Sequence, residues 1–316
     1  MAVTLAQAKL NVTDDLARGI IDEFAKSSYL MNNLTFHDCV SPVGGGATLT
    51  YGYTRVVAES GADFRKINSE YTSSEAQKQR YITELKVFGG SYDVDRVIAD
   101  MGGLADEVAF QSAQKVKAAS ALFSDTVING NSSANEDVFD GLDVAVTGTD
   151  TEFNPAEAID LSTSAVIDAN YKYFIDALDE WLGEIKNPDA ILCNSKMAAK
   201  FRAVARRAGM YQTTMNNFGQ KVEHYGDIAF VDLGAKAGSN APIVGINGSG
   251  ETSIYAVRFG LDGFHAISMA GQAPVKIWLP DFSTSGAVKT GEVEMVAGIA
   301  LKSTKAAGAF RKIKVQ

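Results

Sequence analysis

A mixed α+β chain follows from three features of the sequence. Apolar residues recur at helical spacing through a long segment ending near Asn129 and again between residues 165 and 208. They alternate with a period of two around residues 49–53 and 81–88 and in the C-terminal part of the chain. Glycine, proline and asparagine clusters separate these stretches. With 316 residues, 46% of them hydrophobic, the chain can bury a large core.

At the N-terminus Thr13 can cap a helix whose first turn sets Asp14 and Asp15 against the positive end of its dipole. Leu16, Ile20, Ile21 and Phe24 give that helix one apolar stripe. Tyr29, Leu30, Met31, Leu34 and Phe36 prolong the apolar character before any compact unit surrounds them, so an arm packing on other parts or other copies is expected. After Pro42 and Gly44–Gly46, Leu49, Tyr51 and Tyr53 alternate with polar residues as a strand, and a second strand is expected from Tyr81 to Phe88. Residues 58–79 between them are almost entirely polar. A two-stranded ribbon with so little apolar surface is marginal by itself in water, so this excursion is expected to lie on a neighbour.

From Gly102–Gly103 a helix is predicted to about Asn129, with Asp106 and Glu107 in its first turn and Gly130 as its stop. Its stripe of Val108, Ala109, Ser112, Ala113, Val116, Ala119, Phe123 and Val127 is mostly small, which suits close packing on a sheet. A second region opens near Ser162: a helix from Ala165 to Lys186, the strand Ala190–Cys193, and a helix from Lys196 to Ala208 capped by Asn194 or Ser195 and ended by Gly209. Strands near 227–233, 242–246, 253–258 and 264–268 are expected to complete this region. The chain alternates again from Ala273 to Leu301, and Ile313 and Val315 opposite Lys312 and Lys314 suggest a last strand with one wet face.

Composition and motifs exclude several chemistries. Thirty-eight acidic against 29 basic side chains give a formal net charge of -9, opposite to the footprint of a sequence-specific nucleic-acid binder. No apolar run is long enough to span a bilayer, and residues 1–10 lack the organisation of a secretory signal. Cys39 and Cys193 are far apart and read as buried free thiols, without a disulfide framework or zinc site. The three histidines, His37, His224 and His265, show no metal-ligand spacing. Asp93 and Asp95 share a strand face but lack a third ligand, so a solvated or Arg96-paired couple is expected. Gly245–Gly250 lacks both the P-loop lysine and the dinucleotide glycine spacing and reads as a turn. No nucleophile elbow or general-base motif occurs, and no cofactor is called for. The helix from 196 to 208 holds the one dense basic cluster of the middle region: Lys196, Lys200, Arg202, Arg206 and Arg207. A solvated face is the plain reading, with an intersubunit or DNA-facing patch as the alternative.

The order of arm, polar hairpin, strands, long helix, α/β region and returning strands resembles the major capsid proteins of tailed bacteriophages, with the Hong Kong 97-like fold shared with encapsulins. Asp95–Asp100, the helix end Ala121–Gly130 and Phe139-Asp140-Gly141-Leu142 look like that family's hairpin-to-spine-helix stretch, with its closing glycines. Cys193-Asn194-Ser195-Lys196 followed by Phe201 and Gly209 looks like the strand-to-helix element of its axial domain. Each motif is loose; their order and spacing carry the resemblance over nearly the whole chain.

The resemblance implies an N-terminal arm at 1–47, an E-loop hairpin at 48–88, and a peripheral domain at 89–155 and 273–301 with a spine helix at about 103–129. It further implies an axial domain at 160–272 and a basic C-terminal strand at 302–316. Arg55, Asp63, Phe64, Arg65, Lys66, Glu70, Tyr71 and Lys78 of the hairpin and Leu16, Ile20 and Phe24 of the arm would then contact neighbouring subunits. Lys66 and Lys78 are the candidates for the lysine that one branch of the family joins covalently to an asparagine, although no such bond is expected here. Pentamers and hexamers would build an icosahedral shell around double-stranded DNA in a virion, assembled in the bacterial cytoplasm. The DNA would be touched non-specifically, and no membrane would be involved. Portal, possibly decoration, and scaffolding proteins would be separate partners; the alternative to separate scaffolding is a mature form, since no helical scaffold region precedes the arm. An encapsulin-like compartment holding a protein cargo, a phage tail component and an unrecognised enzyme are the other readings. An enzyme would show a deep pocket with convergent titratable groups.

Overall fold

The computed structural model describes residues 29–41, 48–100, 107–210, 212–215 and 221–316. The proposed arm residues Leu16, Ile20 and Phe24, and the start of the long helix at 103–106, lie outside them. That helix, α3 (Glu107–Asn129), follows the short helices α1 (Tyr29–Asn33) and α2 (Arg96–Asp100). At 1.5 Å per residue it is about 35 Å long. It buries Ser112, Ala119, Ala121, Phe123, Ser124, Val127 and Ile128. The serines and alanines among them let it lie close on the strands β4 (Lys86–Asp95) and β14 (Val288–Leu301). Ser112 hydrogen-bonds the Tyr92 hydroxyl from β4 across that interface.

The sheet under α3 is organised by β14. On one side it pairs antiparallel with β4. On the other it pairs with β13 (Val275–Trp278) and then with β12 (Phe264–Met269), beyond which β1 (Phe36–Val40) adds in parallel. Leu30 and Leu34, around α1, are buried in this same unit, so the apolar run after residue 28 packs on its own chain.

The second sheet runs β5 (Glu152–Phe153), β15 (Ala307–Lys314), β11 (Glu251–Val257), β7 (Ala190–Cys193), β10 (Ile228–Asp232), β9 (Lys221–Tyr225), β8 (Gln212–Met215), and β6 (Ile159–Asp160) also pairs with β15. Its central strands are apolar on both faces, as sheets covered on both sides must be. Ala190 and Leu192 of β7, with Tyr255 and Val257 of β11, face the core shared with α3. Ile191, Cys193, Ile254 and Ala256 face the opposite way, under α5 (Ser164–Gly183) and α6 (Ser195–Ala208). Phe310 fills the centre of that second core, with Phe153, Phe174 and Trp181 around it at centroid distances of 4.6, 5.8 and 5.6 Å.

Local signals set the helix ends. Thr163 accepts from the Val166 amide at the start of α5, and Asn194 from the Met197 amide at the start of α6. Gly209 ends α6 with φ 69°, the left-handed conformation that suits glycine. Gly130 and Gly141 meet backbone to backbone: a Cβ on Gly130 would lie 2.2 Å from the Phe139 carbonyl oxygen.

Four expectations need correction. The strand expected from Tyr81 to Phe88 is divided at Leu85, which is buried; β3 (Gln77–Glu84) stays in the hairpin while β4 enters the large sheet. The helix expected to Lys186 closes at Gly183. Residues 242–246 form isolated bridges only, for Pro242 has no amide to donate and Ile243 and Val244 are buried by side-chain packing, not by a ladder. Residues 264–269 do not join the second sheet: after the turn closed by Gly263 N–H on the Gly260 carbonyl, β12 crosses to β14 and β1. The C-terminal strand β15 is an interior member of the second sheet, and at its end buried Ile313 and Val315 alternate with half-buried Lys312 and Lys314, as expected.

Candidate assembly surfaces

The hairpin of β2 (Thr50–Ala58) and β3 has a ladder from Thr50↔Glu84 to Ala58↔Gln77, with Tyr53 opposite Tyr81. Beyond it, residues 59–76 lie in the open without regular structure apart from a turn at 66–69. There the Ser69 amide and hydroxyl both donate to the Lys66 carbonyl, and Asn68 takes φ 69°. Arg65 donates to the Ser69 carbonyl at 3.2 Å and lies 5.2 Å from the Tyr71 ring centre. These bonds shape the tip without covering it. Phe64 is 107% exposed, Ile67 91% and Tyr71 64%, and Val56 and Val57 are exposed too. Asp63, Lys66, Glu70 and Lys78 are exposed among them. Full burial of such apolar side chains gains about 1.5–3 kcal/mol each, so a surface that meets this tip gains several of them at once.

Arg55 differs from the other hairpin residues. Its guanidinium donates to the Leu301 carbonyl at 2.6 Å and the Lys302 carbonyl at 3.1 Å, and it lies 4.3 Å from the Tyr81 ring centre. It ties the root of the hairpin to the end of β14 within the chain. Tyr51 and Tyr53 pack there on a small cluster of Val40, Leu85, Ile267, Val296 and Ala300.

On α6 most of the basic residues are engaged locally. Arg207 bonds Asp168 and the Ser164 hydroxyl of α5, Arg202 pairs with Glu223 at 2.6 Å, Lys200 donates to the Ser162 carbonyl and Lys196 to the Gln316 side chain. Arg206 is exposed. The cluster therefore fastens α6 to its surroundings and keeps only part of its charge for a partner.

A groove of about 520 Å³ is lined by Asn129, Asp143, Asn247, Glu251, Tyr255 and Arg311 among others. Its charged groups are tied together. Arg311 donates to Asp143 at 2.6 Å and to Glu152, and the Tyr255 hydroxyl donates to Asp143 at 2.8 Å. Burial, then the Asp143 carboxylate, pushes the Tyr255 phenol above its usual range, so it stays a neutral donor. This network pins the short helix α4 (Leu142–Val146) to β11 and β15, a structural use of the residues.

Asp93 accepts from the Thr290 hydroxyl at 2.6 Å and Asp95 from the Val97 amide at 2.8 Å, which gives the two carboxylates partners other than Arg96. Gly245–Gly250 is a turn into β11, in which Asn247 accepts from the amides of Ser249 and Glu251. Cys193 is buried, and burial pushes its thiol up; Cys39 is half-buried. Among the described residues no group of three or more His, Cys, Asp or Glu is placed to hold a metal, and no helix is long and apolar enough to cross a membrane.

Sequence reasoning missed two features. Ile277, Trp278, Leu279 and Val288 are exposed on β13, β14 and the turn after β13; the alternation of that stretch suggested a strand but not which face lacks cover. His37 and His265 come together under Tyr51, from strands far apart in sequence, and no local spacing signals that meeting.

No protein-family model and no curated protein sequence matches the chain. Solved structures do. The holo-SrpI encapsulin complex of Synechococcus elongatus PCC 7942 aligns over 100% of this chain and 98% of its own, at 14% identity and a TM-score of 0.66. The capsid of a native GTA particle aligns over 98% and 97%, at 14% identity and 0.63. The capsid of Myoviridae phage XM1 aligns over 99% of both chains, at 13% identity and 0.60.

Proposed function

We propose that this chain, which has the Hong Kong 97-like fold of encapsulin and phage capsid shells, is a major capsid protein that self-assembles into a closed shell around double-stranded DNA. In this reading residues 48–88 are the E-loop, its tip laid across a neighbour, and 1–47 the arm, of which the stretch from Tyr29 to Val40 packs on its own chain. The sheet under α3, the spine helix, is the peripheral domain, proposed at 89–155 and 273–301 with β12 and β1 added to it; residues 160–263 form most of the axial domain, to which the strand within 302–316 adds.

The observation that carries the proposal is the hairpin tip. Phe64, Ile67 and Tyr71 are exposed on a projection with no core of its own, an arrangement whose cost is recovered when a second copy covers it. Heterologous contacts of this kind close into rings, and many weak contacts sum to a stable shell. A net charge of -9 suits a container whose lining must not grip its genome. The work of such a protein is assembly, not turnover.

The test is electron microscopy with light scattering on the purified chain, alone and with a scaffold candidate. Closed polyhedral particles or five- and six-membered rings are expected; a monodisperse monomer under both conditions overturns the proposal. Deleting residues 60–76 is expected to leave a folded subunit that builds no stable shell. The encapsulin aligned over the whole chain supports a second reading, a compartment for a protein cargo. Nuclease-protected DNA inside the particles supports the first, and a co-purifying protein cargo the second.

A further inference from the structure

His265, on β12, is 0% exposed, and neither of its ring nitrogens has a hydrogen-bond partner. His37, on β1, has its ring centre 6.0 Å away, and its Nδ1 is likewise buried and unpartnered. Buried polar atoms in this state are costly and uncommon in folded proteins. The lid over both rings is Tyr51 of the hairpin, set edge to face at 5.9 Å and 84° on His37 and at 6.1 Å and 86° on His265.

The groups around the pair are cationic or neutral. Lys302, following β14, has its ammonium 5.7 Å from the Tyr51 ring centre. Arg55 and Tyr53 of β2 and Tyr81 of β3 continue the wall, and the half-buried Cys39 lies on β1. The nearby carboxylates are turned elsewhere: Asp38 is exposed, and Glu84 of β3 is paired with Lys86 at 3.0 Å. Among the described residues a proton added here meets positive neighbours and no counter-ion.

We infer that His265, packed against His37 and under Tyr51, is a proton-operated latch on the hairpin, whose protonation frees the root of β2 and β3 from the sheet while the two large cores stay closed. The released hairpin gives up its packing on the small cluster around Leu85 and Val296, the Tyr51 contacts with both imidazoles and Lys302, and the Arg55 bonds to two carbonyls. Lifting Tyr51 brings water to both imidazoles. Burial first, then the Lys302 charge and His37, pushes the His265 pKa down from 6.5 to about 4, against a smaller upward pull from the Gly263 backbone. The docked hairpin therefore binds fewer protons than the released one. Docking is strongest above pH 6.5 and weakens as the pH falls from 6.5 towards 4; below that the docked form is protonated too, and this residue causes no further loss. Within the window one such group changes the released population about tenfold per pH unit.

Hydrogen exchange on the full-length chain, corrected for intrinsic rates and followed from above pH 6.5 down towards 4, tests the latch. Protection of amides in β2 and β3 is expected to fall about tenfold per pH unit, with α5 unchanged. His265→Leu, which keeps the apolar volume and cannot titrate, is expected to flatten that slope. Lys302→Met, which removes the repelling charge, is expected to make it shallower. The same slope in His265→Leu as in the wild type overturns the latch, as does equal loss of protection in α5. Flat wild-type protection overturns it however the variants behave.

Discussion

The hairpin and the second core are built from similar residues used in opposite ways. Around Phe310 three aromatic rings, the Trp181 amine on the Thr151 carbonyl and the sheet itself leave no surface uncovered. At the hairpin tip Phe64 and Tyr71 meet mainly solvent, with Arg65 set against the Tyr71 ring. The first arrangement stabilises the subunit; the second gains nothing until another molecule arrives. Subunit stability and the proposed assembly therefore rest on separate regions of this chain, and substitutions should divide accordingly.

The largest effect on the subunit is expected from Phe310→Ala. It opens a cavity among fully packed rings and should cost about 3–5 kcal/mol, seen as a lower denaturant midpoint whether or not shells form. A smaller loss, about 2 kcal/mol, is expected for Asn194→Ala. Its carboxamide caps α6 at the Met197 amide and donates to the Val244 carbonyl and the Thr252 hydroxyl, at 3.0 and 2.7 Å. Least of all, the pair Phe64→Ser and Ile67→Ser should move the thermal midpoint of the isolated subunit by no more than a mutation on any open surface, about 0.5 kcal/mol. The same pair should abolish or greatly weaken particle formation by light scattering. A double variant that assembles normally would erase the proposed division between the two regions.

Much of the body was legible in the sequence because its signals are local. Asn194 before a basic amphipathic helix and Gly209 after it mark both ends of α6, and four apolar residues from Ala190 to Cys193 mark a strand covered on both faces. The hairpin was legible through its lack of a core. What escaped depends on partners distant in the chain. Nothing in the alternation of residues 264–269 says that β14, not β11, is the neighbour, and nothing near Arg55 names the carbonyls of residues 301 and 302 as its acceptors. The division at Leu85 belongs to the same class: the alternation continues, but the strands on either side belong to different sheets.

The way Arg55 holds the hairpin has a geometric consequence. Beyond Arg55 the remaining three residues of β2 reach about 10 Å, and the segment after them reaches further still. At that radius a rotation of about 10° about Arg55, small enough for two hydrogen bonds to follow, carries the ladder's end through about 2 Å and the tip further. A single sequence can thus meet neighbours at several separations by adjusting one joint, without repacking either core. In a shell whose subunits do not all have identical surroundings, that tolerance would let one gene product occupy every position.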